Sequence, residues 1–149
     1  MNIKSLYMEI TDVCNLHCKT CDNFTDSEYF TLEEMKDILD NAREGSVRQL
    51  FITGGEPLTH RNLYDIIAYA HKLRFHVNMS CNGTMVTEDV VKKLIEAGLN
   101  NISLSLDGTK EVNDSIRGKG VHDKVLNTLK LFQEAKSSRM VNVLFTISH

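Results

Sequence analysis

Five short stretches rich in Val, Ile, Leu, Phe and Tyr recur along the chain, at residues 6–11, 49–53, 76–80, 101–106 and 141–148, and they predict five strands. Between them the apolar residues fall at helical spacing. Over 32–44, Leu32, Met35, Ile38, Leu39 and Ala42 share one face behind a capping box formed by Thr31 and Glu34. A second helix is expected near 63–73. A third starts from Thr87 as its N-cap, carries Val90, Val91, Leu94 and Ile95, and stops at Gly98. A fourth covers about 124–136. Regular alternation of strand and helix predicts an α/β fold with parallel strands, right-handed crossovers and the helices outside.

Successive side chains of a strand point to opposite faces, so each strand also reports on its surroundings. Val77, Met79 and Cys81 alternate with His76, Asn78, Ser80 and Asn82, and Ile102, Leu104 and Leu106 alternate with Ser103, Ser105 and Asp107. One face is apolar and the other polar. A central strand of a doubly wound sheet is apolar on both faces, so the polar face predicts a barrel-like sheet around a wet cavity. The first strand partly agrees, placing Tyr7, Glu9 and Thr11 on the cavity side, and the fifth adds Thr146 and Ser148. The second is too short to test.

The unusual short sequences all follow a strand directly: CNLHCKTC after the first, GGEPL after the second, SCNGT closing the third and SLDG closing the fourth. Ligand sites of parallel α/β folds collect at the carboxyl ends of the strands, which makes this rim the expected functional mouth. The chain stops at His149 with the fifth strand barely finished. The expected barrel is therefore incomplete, through truncation or with its open edge covered by a partner chain or a missing C-terminal region.

The 149 residues, 42% hydrophobic and 25% charged, suit one domain. A formal charge of -3 without basic runs gives no case for nucleic acid. No segment reaches the roughly 18 apolar residues of a membrane span, and the N-terminus has no signal-peptide pattern, so a cytoplasmic protein is expected. In a reducing compartment, Cys14, Cys18 and Cys21 in CxxxCxxC point to metal binding rather than disulfides.

Three such thiolates hold either zinc, with a fourth protein ligand, or an iron–sulfur cluster. The cluster is the better reading. Cys81, the remaining thiol, alternates toward the helix layer, and His17 could ligate only by distorting the loop. A four-iron cubane on three cysteines leaves one iron open to a substrate or cofactor.

CxxxCxxC followed by GGEP at residues 54–57, NGT at 82–84 and SLDG at 105–108 resembles the radical S-adenosylmethionine (SAM) superfamily, over nearly the whole chain. The resemblance implies a partial (β/α)6 barrel truncated after its fifth strand, with residues 1–149 as an incomplete core domain lacking a sixth strand and any C-terminal auxiliary domain. Implied too are a 4Fe-4S cluster on Cys14, Cys18 and Cys21 and reductive cleavage of SAM to a 5'-deoxyadenosyl radical, which abstracts hydrogen from a peptide or small molecule. The motifs are nearest in style to peptide-modifying and cofactor-building members, and the electron is expected from a flavodoxin- or ferredoxin-like donor. Gly54, Gly55, Glu56 and Pro57 would bind the methionyl ammonium, with Glu56 as anionic partner. Ser80 and Asn82 would contact the ribose or methionyl part, and Ser105 with Arg117 the carboxylate. Asp107 either joins that site or holds its own loop in an Asx turn. Where the family often has an aromatic residue near the adenine, this chain has Thr20, leaving Phe24 or backbone contacts for the base. A non-catalytic zinc module, or a fragment that binds cluster and SAM without turnover, are the alternatives.

Overall fold

The computed structural model describes residues 3–21 and 30–146. Its elements run β1 (Ser5–Glu9), α1 (Leu32–Glu44), β2 (Gln49–Thr53), α2 (Leu63–Lys72), β3 (His76–Cys81), α3 (Glu88–Glu96), β4 (Asn101–Ser105), α4 (Lys110–Arg117), α5 (Val121–Glu134) and β5 (Val141–Leu144), with short 3₁₀ turns at Pro57–Thr59 and Ser138–Met140. All five strands are parallel and lie in sequential order, β1-β2-β3-β4-β5. A doubly wound sheet reverses its order near the middle. This one does not, and the α/β, barrel-like expectation holds.

Local chemistry sets the helix ends. Thr31 Oγ1 accepts the Glu34 N–H at 3.2 Å while the Thr31 N–H donates to Glu34 Oε2 at 2.8 Å, completing the expected capping box. Thr87 Oγ1 accepts the Val90 N–H, and Gly98, at φ +90°, turns the chain out of α3.

The core lies on one side of the sheet. Leu50, Ile52, Val77, Met79, Ile102 and Leu104 are buried against Met35 and Leu39 of α1, Ile66 and Ile67 of α2, Leu94 of α3, and Val125 and Phe132 of α5. Among the described residues no helix covers the opposite face. Register places Tyr7, Phe51, Asn78 and Asn101 in one row across it, and Glu9, Thr53, Ser80 and Ser103 in the next. All eight are half-buried or exposed. The second strand thus obeys the alternation after all, with Phe51 stacked on Tyr7 at 4.6 Å between ring centroids. Asn101 Nδ2 donates to Asn78 Oδ1 at 3.0 Å.

Three expectations change. Residues 110–117, for which the sequence pattern predicts no element, form helix α4. Helix α5 begins at Val121 rather than near 124, because the Asp114 carboxylate accepts the N–H groups of Gly120 (2.7 Å) and His122 (2.9 Å) at its start. The described part of β5 ends at Leu144, short of the expected 148; Asn142 continues the polar face in the row of Ser103, Leu144 interrupts it in the row of Ser105, and Thr146 beyond the strand lines the cavity. Phe24 and Ser148 lie outside the described residues.

Candidate functional site

β1 ends at Glu9, and the chain then descends into the cysteine loop. There the buried Thr11 and the half-buried Asp12 and Val13 press against the turn that follows β2. Gly55 N–H donates to Thr11 O at 2.7 Å and Glu56 N–H to Val13 O at 2.8 Å. This seam explains both glycines. A Cβ on Gly54 would stand 2.3 Å from Thr11 O, and one on Gly55 2.3 Å from Val13 O, with Gly54 also at φ +130°. The close approach is to the cysteine loop itself.

Past the seam, Cys14, Cys18 and Cys21 line one cavity of about 260 Å³. Its walls also include Leu16 and Thr20 from the cysteine loop, Thr53, Gly54 and Gly55 after β2, Ser80, Cys81 and Asn82 at the end of β3, Ser105, Arg117 and Thr146. Nine of the twelve predicted site residues are brought together here. Glu56, Pro57 and Asp107 are not among the lining residues. They are buried behind it.

Both Glu56 oxygens are engaged with backbone: Oε1 accepts the Leu58 N–H at 3.1 Å and Oε2 the Asn82 N–H at 2.7 Å. Burial pushes its carboxyl above the ordinary carboxylate range, partly offset by those two N–H groups and the Cys81 thiol. Glu56 therefore ties the turn after β2 to the end of β3. Asp107 makes no Asx turn in the described hydrogen bonds. Its Oδ2 accepts Arg117 Nε at 2.6 Å and its Oδ1 the Thr146 N–H at 3.0 Å.

Cys81 is 3% exposed and belongs to the core, as its alternation predicts, although it also forms part of the cavity wall. Burial raises its thiol well above the usual range, and the Glu56 carboxylate adds to this. His17 is exposed and does not line the cavity. Burial also raises the Cys18 thiol, against the pull of the Arg117 guanidinium, while the neighbouring Cys14 and Cys21 thiols add to the rise. No three His, Cys, Asp or Glu side chains converge on a single metal-ion position among the described residues. The three thiols are distributed around the cavity.

Two residues absent from the sequence-based set complete the surroundings of Cys14. Asn82 Nδ2 lies 3.9 Å from Cys14 Sγ and donates to Asn15 Oδ1 at 2.8 Å; Asn15 Nδ2 in turn donates to Thr84 Oγ1 at 2.8 Å. Lys19 N–H, inside the cysteine loop, donates to Ile116 O of α4 at 2.9 Å. Hence the unpredicted helix steadies the loop. A larger hollow of about 490 Å³ lies between α3 and α5 and contains none of the motif residues. No helix among the described residues is long and apolar enough to cross a membrane.

The profile of the Radical SAM superfamily matches residues 8–148. The chain is 33% identical over 134 residues to mycofactocin maturase MftC of Mycolicibacterium smegmatis, covering 87% of this chain and 34% of that protein. It is 35% identical over 144 residues to Fe-coproporphyrin III synthase of Methanosarcina barkeri, covering 93% and 36%. Among solved structures, Streptococcus suis SuiB bound to its precursor peptide SuiA superposes with a TM-score of 0.83 at 19% identity, covering 100% of this chain and 35% of SuiB. SuiB bound to S-adenosylmethionine gives 0.81 at 20% identity, covering 97% and 35%. The chain thus spans about a third of the length of these proteins.

Proposed function

This chain belongs to the radical SAM superfamily, a family of enzymes that use a 4Fe-4S cluster and SAM, and on that premise we propose that Cys14, Cys18 and Cys21 hold the cluster beside a SAM site in the same cavity. When bound, the cluster supplies the electron that splits SAM into methionine and a 5'-deoxyadenosyl radical able to take hydrogen from a substrate. The observation that carries this reading is the single cavity shared by the three thiols, the Gly54–Gly55 turn, Ser105 and Arg117.

The donor set fits the cluster. Three thiols sit round one cavity, while the fourth, Cys81, is buried and favoured in its protonated form. Held by three thiolates, such a cluster would leave one iron for SAM. Burial raises the Cys18 thiol, and the nearby Arg117 guanidinium opposes that rise in the direction of the thiolate, the form that binds iron. In this reading the Gly54 and Gly55 backbone would bind the methionyl ammonium, Arg117 and Ser105 the carboxylate, and Ser80 and Asn82 the ribose or methionyl part. Glu56 and Pro57 act from behind, by fixing the turn. Thr20 lines the cavity at the position where the family often has an aromatic residue, so adenine would have to be held by other contacts.

In this reading the chain is the core domain of such an enzyme and draws its electron from a flavodoxin- or ferredoxin-like donor. A relative named PqqA peptide cyclase, from Streptomyces rochei and 31% identical over 144 residues, supports a peptide substrate. The relative named for Fe-coproporphyrin III supports a small molecule. Anaerobic purification followed by iron and sulfide analysis tests the proposal: about four irons per chain, an EPR spectrum that changes on adding SAM, and 5'-deoxyadenosine on reduction are expected. Stoichiometric zinc without iron would overturn it.

A further inference from the structure

Arg117 is held by one edge only. Its Nε donates to Asp107 Oδ2 at 2.6 Å, with side-chain exposures of 13% for Arg117 and 1% for Asp107, whereas its two terminal nitrogens make no hydrogen bond among the described residues. The guanidinium lies on the wall of the cysteine cavity. Five N–H donors in a rigid plane suit a carboxylate bidentately, and fixing one edge determines where the other points.

Asp107 is itself fixed from three sides. Its second oxygen accepts the Thr146 N–H at 3.0 Å, and its own N–H donates to Asn113 Oδ1 at 3.0 Å, Asn113 being fully buried on α4. Ile116, the residue before Arg117, accepts the Lys19 N–H of the cysteine loop. One carboxylate thus joins the ends of β4, α4 and the segment after β5, and through α4 it sets the guanidinium relative to the thiols.

We propose that Asp107 is a positioning residue: it orients Arg117 so that the free edge of the guanidinium selects a cavity ligand carrying a carboxylate. This rests on the reading of the cavity as a SAM site. It goes further in assigning the selectivity to a buried residue that does not line the cavity.

The test compares SAM with decarboxylated SAM, which lacks only the carboxylate, on the anaerobically reconstituted full chain by calorimetry. The unsubstituted protein is expected to bind SAM about tenfold or more tightly than the decarboxylated compound, as a charge-assisted pair warrants. Asp107→Asn should bring the two affinities within about threefold of one another, by weakening SAM alone. Asn113→Ala, which frees the Asp107 N–H, should give an intermediate ratio, and it decides the matter if Asp107→Asn does not fold. An unchanged ratio in the variants, or equal weakening of both ligands, overturns the positioning role. Absence of any preference in the unsubstituted protein overturns the carboxylate reading of Arg117 itself, and no binding of either compound overturns the SAM site.

Discussion

Replacing Gly55 by alanine isolates the seam between the cysteine loop and the turn after β2. An added Cβ would lie 2.3 Å from Val13 O, 2.6 Å from Val13 C and 2.7 Å from Asp12 O, all of them backbone atoms. Ordinary contact requires the loop to retreat by about 1 Å. That movement breaks Gly55 N–H to Thr11 O and Glu56 N–H to Val13 O. Two backbone bonds at about 1 kcal/mol each, with overpacking at about 1 to 3 kcal/mol, give a loss of about 3 to 5 kcal/mol. Gly120→Ala is the control: its φ is +82° but nothing lies within 4 Å of the new Cβ, so only the left-handed backbone term of about 1 to 2 kcal/mol applies. Urea melts of the metal-free protein read the stabilities, and iron bound after reconstitution reads the loop. Gly55→Ala with unchanged stability and full iron content would refute the reasoning.

Cys81→Ala should retain the full complement of iron at a cost of about 1 kcal/mol from the lost sulfur packing, whereas alanine at Cys14, Cys18 or Cys21 should abolish cluster assembly; iron analysis of the four variants decides. Because burial raises the Glu56 carboxyl above 4.5, the unfolded chain loses that proton first, and stability should fall as pH climbs from about 4.5 toward the raised folded value. The stability advantage of the native protein over Glu56→Gln should shrink over that interval in urea melts, and a difference constant with pH counts against it. Thr128→Val removes the 2.7 Å bond from Thr128 Oγ1 to Gly83 O in the buried turn after β3, and the unsatisfied carbonyl should cost about 1 to 3 kcal/mol by the same melts.

The strands and the first three helices were legible because their signals are local: period-two alternation, the Thr31–Glu34 box, the Thr87 cap. Helix α4 was not, since KEVNDSIR offers only Val112 and Ile116 as apolar residues, and Val112 is 47% exposed. The start of α5 was hidden for a different reason: its cap, Asp114, comes from the preceding helix rather than from the residue before it. In the site, the thiols, the glycines, Ser80, Asn82, Ser105 and Arg117 could be placed from strand ends and motifs. Asp107 shares the parity of Ser103 and Ser105, yet β4 stops at Ser105 and the turn carries Asp107 inward, where alternation no longer applies. Glu56 turns inward beyond the end of β2 in the same way. Asn15 and Thr84 meet across 69 positions of chain, a contact no local pattern encodes.

The face of the sheet opposite the core works as a ruler. Two residues along a strand advance it by about 6.6 to 6.8 Å, so its rows are graduations counted away from the cysteine rim. Thr53 and Ser80 mark the edge of the cavity, and the stacked rings of Tyr7 and Phe51 lie one graduation farther down. Depth along this face is therefore set by hydrogen-bonded register instead of by loops. A group resting on that aromatic pair would keep a fixed distance from the thiol rim even if the loops above it were rebuilt.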